Sequence, residues 1–387
     1  MIDILWAILF WTCAVLMLHT FLLYPRTLGL FPKKYSHAPA MPDGEWPKVA
    51  VMIPAYNEEK VIGEKVRNCL EQDYPADRLQ ILVGSDGSQD RTDEIVESIK
   101  DPRVKLVRLG GRNGKPLVLN QLVENSGDAA VVVISDANIV WDKQALKMAC
   151  RHFADHNVGV VSAGRYALTD KSDELASEEQ FYTSHENALK VRETQIGGMS
   201  GGLGMLLAIR RDLYQPFVPG SANDDTTPMI WATLRGCRNV WEMESKAYER
   251  SGQSFREEFR RRIRIGAGNF QTLFRYAAVL SPRYGVAAYT FFSHKVIRWV
   301  FPFLMILAMI ANLALWRTPL YELTLIGQFV LYSAALFGGI AVMLGMRIPP
   351  VTSLFHFVAM NVALFLGFFR YLKQGNRRFV WEPTARE

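Results

Sequence analysis

The sequence predicts an α/β domain, a mostly parallel sheet with helices on both faces, together with N-terminal and C-terminal transmembrane helices. Continuous apolar runs of strand length alternate with helix-period segments between residues 49 and 153. Acidic residues stand where two of these runs open into loops: Asp86 in SDGSQDRT and Asp136 in SDAN. Long apolar segments flank the region on both sides. Apolar strands separated by helices indicate a parallel sheet covered on both faces. The carboxyl edge of such a sheet is where ligands bind.

The elements follow in order. Ile4 to Tyr24 is apolar and about twenty residues long, enough to span a bilayer. It lacks the basic start and small-residue cleavage site of a signal peptide, so it reads as an uncleaved anchor. Arg26, Lys33 and Lys34 follow it and assign the next domain to the cytoplasm. Pro39 to Pro47 is a Pro-rich lead-in. Val49 to Ile53, Leu79 to Gly84, VKLVRL and AAVVVIS read as strands. Lys60 to Gln72, Asp90 to Ile99, Lys115 to Glu124 and Lys143 to Phe153 read as the intervening helices. Beyond Val158 the pattern changes to two strands, VGVVSAG and LGMLLAI, around a long polar helix, Asp173 to Arg192. Phe255 to Phe274 reads as a strongly basic helix. Three apolar segments follow, Trp299 to Trp316, Leu320 to Leu344 and Val351 to Phe369. These bounds give an anchor at 1–25, a cytoplasmic domain at 48–275, a membrane region at 285–372 and a basic tail at 373–387.

The totals fit this division. The 387 residues are 49% hydrophobic, with 44 basic and 38 acidic side chains and a net charge of +6. Much of the excess is local, in RRRIR (Arg260 to Arg264) and in RYLKQGNRR (Arg370 to Arg378). Basic stretches beside apolar segments indicate a cytoplasmic membrane surface, with membrane lipids as partners and no nucleic acid. Three full crossings after the cytoplasmic domain would put the basic tail outside; two would keep it inside. The expectation is a cytoplasmic tail, with the last segment, after Pro349-Pro350, interfacial or re-entrant. The spans carry almost no ionisable groups, Glu322 lying at an edge and His356 being the main exception. The four cysteines match no zinc spacing and read as reduced thiols.

The loops carry the candidate chemistry. IPAYNEE holds Pro54, which stops the strand, Tyr56, able to stack on a base, and Glu58, able to accept a hydrogen bond from it. A turn ahead of a helix explains that segment equally well. Asp86 reads as a nucleoside contact, since Gly87 and Ser88 allow close approach; Asp90 reads as a helix cap. RNGKP delivers Lys115 at a helix start, where a cation does nothing for the helix dipole but suits a diphosphate. The alternative is a solvated lysine. Asp136 and Asn138 offer oxygen ligands two residues apart, suited to Mg²⁺ or Mn²⁺, or else form an Asx turn. Asp224 and Asp225 are adjacent carboxylates, one fit to act as a general base, or they cap a helix ahead of Pro228. Arg261 and Arg264 share a helical face and suit either a leaving diphosphate or anionic lipid heads.

In their order these segments resemble family 2 glycosyltransferases, the inverting, membrane-associated type with a GT-A fold. The resemblance runs from about Lys48 to Phe274. It implies that Asp86 serves base and ribose, that SDAN stands at the metal-binding D-x-D, and that NGKPLVLN matches the GK-x-x-ALN segment. It implies that Asp225, in DDTTPMIWATLRG, is the catalytic base beside Asp224. It sets Arg264 on the arginine of Q-x-x-R-W, and Gly201, Gly202 and Gly204 in an acceptor-side loop. Two positions depart from the pattern: Asn138 replaces the second aspartate of D-x-D, and Arg261 and Ile265 replace the Q and W of Q-x-x-R-W. The missing tryptophan argues for single addition rather than processive synthesis.

The expected activity is inverting transfer from a nucleotide-diphosphate sugar to a lipid-linked or saccharide acceptor. It would take place at the cytoplasmic (inner) membrane, in exopolysaccharide or cell-envelope glycan synthesis, with Mg²⁺ or Mn²⁺. Asp225 would take the acceptor proton. Asp136 and Asn138 would hold the metal, and Lys115 and Arg264 would offset diphosphate charge. The alternatives are a processive polysaccharide synthase and a non-catalytic membrane protein that senses a nucleotide sugar.

Overall fold

The computed structural model describes residues 2–35, 41–42, 44–168, 174–250, 255–346 and 348–374. The expected basic tail lies, from residue 375 on, outside the described residues. The chain divides into two units. One comprises Leu30–Gly252 and Phe274–Phe291 with the terminal residues from 376; the other comprises Met1–Gly29, Gln253–Leu273 and Phe292–Gly375.

The first unit is built on an eight-stranded sheet. Its strands are β1 (Val49–Ala55), β2 (Leu79–Ser85), β3 (Val104–Arg108), β4 (Val131–Ile134), β5 (Ile139–Trp141), β6 (Val158–Leu168), β7 (Leu207–Arg210) and β8 (Arg238–Arg250). Their order across the sheet is β3-β2-β1-β4-β7-β6-β8-β5. β1 to β4 run parallel to one another. β7 is antiparallel to both of its neighbours, β6 and β8 are parallel, and β5 closes the edge antiparallel to β8. The sheet is therefore mixed, parallel in the half that the apolar runs announce.

Alternation along β1 shows why both faces are covered. Val49, Val51, Ile53 and Ala55 enter a core with Ile62, Val66 and Cys69 of helix Ile62–Leu70. Ala50 and Met52 enter the opposite core with Val118, Leu119 and Leu122 of helix Lys115–Glu124. A strand buried on both sides needs no polar face, hence its unbroken apolar run. At Gly84 of β2 an added Cβ would lie 2.3 Å from Val118 Cγ1, so the absent side chain lets helix Lys115–Glu124 sit close on the sheet.

β5 and β8 carry no such signal. β5 is three residues long. β8 is highly charged, and its pairing with β6 shifts register between Ala163 and Gly164. A bulge of this kind breaks the period of two that identifies a strand.

The second unit contains helices long and apolar enough to cross a membrane: Ile2–Leu30, Val286–Ala314, Pro319–Met343 and Pro349–Lys373, the second of which starts in the sheet unit. The first carries a π-helical turn, His19–Leu23, and a second such turn is Phe292–Val296. His19 Nε2 is 3.0 Å from Ser293 Oγ, and Thr20 Oγ1 donates to the Ser293 carbonyl at 2.8 Å. The expectation of spans nearly free of ionisable groups is thus corrected by His19 inside the first span and by His294, Lys295 and Arg298 inside the second. The basic helix is Phe255–Arg275. Its Gly266 packs on the backbone of Leu364 and on Gly367.

Candidate active site

Loops at the carboxyl ends of β1, β2 and β4 form the site. After β1, Asn57 takes a left-handed backbone, φ 54°. Its N–H donates to Ser88 Oγ, and its Oδ1 accepts from the Gln89 N–H. The Glu58 N–H donates to Thr92 Oγ1 at 2.8 Å. The expected cap is corrected: the N-cap of helix Thr92–Ser98 is Arg91. The Asp90 carboxylate, one residue earlier, accepts from the Thr92 and Glu59 N–H groups and from the Thr92 hydroxyl. Partial burial pushes its pKa up, but these bonds outweigh it and hold the carboxyl below its ordinary value. The loops after β1 and β2 are thereby one structure. Pro54 is buried in β1, and Tyr56 and Glu58 stand at its end.

Asp86 is 0% exposed. Its Oδ1 accepts the Asn113 N–H at 2.7 Å, and its Oδ2 accepts the Gly114 N–H at 2.9 Å. Arg112 Nε is 3.6 Å away, and the Arg112 guanidinium lies 3.3 Å from the centre of the Tyr56 ring. Asp86 therefore fastens the RNGKP turn with one bond to each carboxylate oxygen, and each oxygen keeps a further lone pair. The close approach that Gly87 permits is made by the chain itself. Gly87 has φ +73°, and a Cβ there would lie 2.9 Å from the Gly111 carbonyl oxygen.

The same turn reaches the second carboxylate. Lys115, next after Gly114, opens helix Lys115–Glu124. Its Nζ is 2.6 Å from Asp136 Oδ1 and 2.6 Å from Asp224 Oδ2. The Asp136 N–H donates to the Gly204 carbonyl, and its own carbonyl accepts from the Ile139 N–H, closing a turn around Ala137 and Asn138. A Cβ on Gly204 would stand 3.6 Å from Asp136 Oδ2, 3.6 Å from Lys115 Nζ and 3.9 Å from Asp224 Oδ2. Lys115, Asp136, Asp224 and Gly204 thus meet at one point. Burial raises the Asp224 pKa, and repulsion from Asp136 and Asp225 adds to this against the pull of Lys115. For Lys115 burial works downward, but the two carboxylates outweigh it and hold the ammonium above its ordinary value.

Neither Asp224 nor Asp225 caps the helix that follows, Thr227–Leu234, whose N-cap is Thr226 with no side-chain bond. Asp225 is half-buried beside Asp224. Gly202 lies under that helix: a Cβ would be 2.7 Å from Met229 Cε and 2.8 Å from Leu207 Cδ1. Arg261 and Arg264 lie in the other unit, on helix Phe255–Arg275, where Arg261 pairs with Glu258 at 2.8 Å.

Three site features go beyond the motifs. Arg112 lies over Tyr56. Lys65, 1% exposed, donates to the Ile139 carbonyl at 2.9 Å and sits 3.8 Å from the centre of the Trp141 ring. Burial pulls its pKa down to about 8. Asn68 bonds both the N–H and the carbonyl of Trp141 at 2.9 Å. The signal for Lys65 and Asn68 is their spacing: polar residues three apart among the apolar positions of a helix.

The family model described as "Glycosyltransferase like family 2" matches residues 47–268, more than half of the chain. The chain belongs to glycosyltransferase family 2. It is 31% identical over 191 residues to the beta-monoglucosyldiacylglycerol synthase of Synechocystis sp., covering 47% of this chain and 39% of that one. It is 28% identical over 115 residues to the poly(ribitol-phosphate) beta-N-acetylglucosaminyltransferase TarS of Staphylococcus aureus, covering 30% of this chain and 20% of that one. The matches span less than half the length of these relatives. Among solved structures it is similar to the mannosyltransferase PcManGT from Pyrobaculum calidifontis, in complex with GDP-Man and Mn²⁺. The TM-score is 0.68 at 23% identity, covering 94% of this chain and 99% of that one. That likeness carries the fold, and the family 2 glycosyltransferase described here has the GT-A architecture with apolar helices on either side.

Proposed function

We propose that this family 2 glycosyltransferase moves a sugar from a nucleotide-diphosphate sugar to a lipid-linked or saccharide acceptor, with inversion, in exopolysaccharide or cell-envelope glycan synthesis. The observation that carries the reading is the meeting of Asp136 and Asp224 on the Lys115 ammonium, one residue from the turn that Asp86 fastens. The proposed domains are an anchor at 1–25, a cytoplasmic catalytic domain at 48–275 and a membrane region at 285–372. The proposed location is the cytoplasmic membrane, with several crossings.

The donor set fits a divalent cation. Asp224 Oδ2 is buried and accepts no aligned hydrogen bond, although Lys115 stands close. Two hard oxygens that share one ammonium already face a common positive charge. Asp136 and Asp224, with Asn138 near, would hold Mg²⁺ or Mn²⁺. The ion would neutralise the leaving diphosphate. Tyr56 and Arg112 would flank the base. Lys115 would turn from the carboxylates to the phosphates. Gly202 would serve acceptor binding. Asp225 would accept the proton of the attacking hydroxyl, so that one displacement inverts the anomeric centre. The diacylglycerol named for the Synechocystis relative supports a lipid acceptor.

The test uses the full chain in lipid nanodiscs containing diacylglycerol. UDP-glucose, UDP-N-acetylglucosamine and GDP-mannose are supplied singly with Mn²⁺, and nucleoside diphosphate release is measured. Release with one donor and a new glycolipid of a single added sugar is the expected result. Long polymer would favour the processive alternative. Donor binding without release would favour the sensor.

A further inference from the structure

We propose that Lys190 and Glu193 are positioning residues for the acceptor: they hold the loop of residues 199–204 against the carboxylate cluster. The inference rests on the glycosyl-transfer reading above. Both lie on helix Glu174–Ile196, 4% and 0% exposed. Three residues apart, they share one helical face. Glu193 Oε2 accepts the Ser200 N–H at 3.1 Å and the Ser200 hydroxyl at 3.0 Å. Lys190 Nζ donates to the Gly201 carbonyl, and it also lies 4.8 Å from the centre of the Trp241 ring. Consecutive residues of the loop are thus held by opposite charges from one helix.

The far end of the loop is tied separately. The Leu203 N–H donates to Ser162 Oγ. The Gly204 carbonyl accepts from the Asp136 N–H. The Met205 carbonyl accepts from Ser135 Oγ and from Trp141 Nε1, each at 2.8 Å. Between the ties, Gly201 and Gly202 are buried and contribute no side chain. Their peptide groups need partners inside the protein. Met229 and Leu207 crowd Gly202. Charge-assisted bonds are roughly twice as strong as neutral ones, and burying the charges is costly unless they are well bonded. A structural loop could be held by neutral groups. Two ionisable groups on adjacent residues fix the loop in one conformation, with Gly204 facing Asp136, Lys115 and Asp224. The donor-side turn is fastened elsewhere, by Asp86, and Asp136 keeps its own bond to Gly204 at the far end, so loosening residues 200 and 201 should spare the donor.

The experiment compares wild type, K190M, K190R and E193Q as full chains in diacylglycerol nanodiscs. Amide hydrogen exchange is followed at residues 199–205. UDP and GDP binding with Mn²⁺ is measured by calorimetry, and KM for diacylglycerol with the donor that wild type uses. In K190M, exchange in the loop should rise about tenfold with the sheet unchanged. Nucleotide affinity should stay within about twofold and acceptor KM should rise about fivefold. K190R should restore both, and E193Q should loosen exchange at Ser200. Unchanged exchange in both K190M and E193Q would overturn the proposal, and so would nucleotide affinity falling in step with acceptor affinity. A wild type that turns over no donor would overturn the transfer reading instead and, with it, the acceptor role; the exchange measurement would still decide whether the clamp exists.

Discussion

Two side chains bear most of the proposed chemistry, and each makes a separate prediction. Asp225 is half-buried and next to Asp224, so it can meet a hydroxyl at the cluster without serving the sheet. Asp225→Asn should lower transfer by about 10²–10⁴-fold while UDP and GDP affinity in calorimetry stays near wild type. Full residual turnover would remove Asp225 from the role. Lys115 sets the charge state of its neighbours. The Asp224 carboxyl sits above its ordinary value, through burial first and then through Asp136 and Asp225, with Lys115 opposing them. The folded chain therefore holds this proton more tightly than the unfolded chain. The stability linked to it is present at low pH and is lost as pH rises through the raised value. Lys115→Met removes the opposing cation, so that value climbs further. The acid limb of the pH–rate profile should move to higher pH, and thermal stability should fall over a wider range as pH rises. A limb that stays in place would show that Asp224 does not have to ionise for turnover.

Helix Ile62–Leu70 works at the next scale as a substitute neighbour for β5. Lys65 binds the Ile139 carbonyl, Asn68 binds both backbone groups of Trp141, and Gln72 donates to the Asp142 carbonyl. Lys65 and Asn68 stand three apart on one helical face, and Gln72, just past the helix end, continues the same line of contacts. The face anchors the downstream end of the SDAN loop. Asn68→Ala leaves the Trp141 N–H and carbonyl without this partner, and each such buried group costs about 1–3 kcal/mol. The melting temperature should fall, and Mn²⁺-dependent nucleotide binding should weaken because Asp136 loses its frame; an unchanged melt would show that water replaces the side chain.

The sequence reading foresaw the helix and the strand ends but not this contact. Periodicity reports which face is buried, not what a polar residue on that face meets. The same limit explains Asp86. Its place at the sheet edge was legible, because β2 is apolar until Gly84. That its oxygens accept from the Asn113 and Gly114 N–H groups depends on how the turn folds back, which no local pattern encodes. β8 stayed hidden because its charges and its shift in register erase the alternation.

At the scale of the whole molecule, the membrane unit bears on the side of the membrane that holds the tail. Helix Pro349–Gln374 is apolar enough to cross; we propose that it lies at the interface instead, beside the basic helix. Phe355 is 5.2 Å from Phe255, Gly367 meets Gly266, and Phe368 is 5.0 Å from Phe270. At these points it touches helix Phe255–Arg275, whose Arg256, Arg260, Arg261, Arg262 and Arg264 would belong at headgroup depth. It also packs along helix Pro319–Met343, where Gly338 and Gly339 lie on Val351 and Phe355. Helix Ile297–Ala314 meets it differently. Phe301 meets Phe357 edge to face, and Phe303 touches Phe365 and Phe368. Two nearly adjacent residues reaching positions so far apart describe a steep crossing, since helices packed lengthwise meet at every third or fourth residue. The first helix does pack lengthwise on Ile297–Ala314, through Phe10, Cys13, Leu304 and Ala308.

Phe21 of that first helix also touches Phe357, which sets the last helix level with the end from which Arg26, Lys33 and Lys34 follow. By the positive-inside tendency those cations would mark the cytoplasmic side. On that proposal two crossings, Val286–Ala314 and Pro319–Met343, would return the chain to the cytoplasm, and Arg370 and Lys373 would stay there. A C-terminal green fluorescent protein fusion should fluoresce, and a C-terminal alkaline phosphatase fusion in a bacterial host should be inactive. Active phosphatase would mean that the last helix spans, and the aromatic contacts along the arginine helix would then require that helix to enter the hydrocarbon with its charges, at a cost of about 2.5–3.5 kcal/mol for each arginine at mid-bilayer.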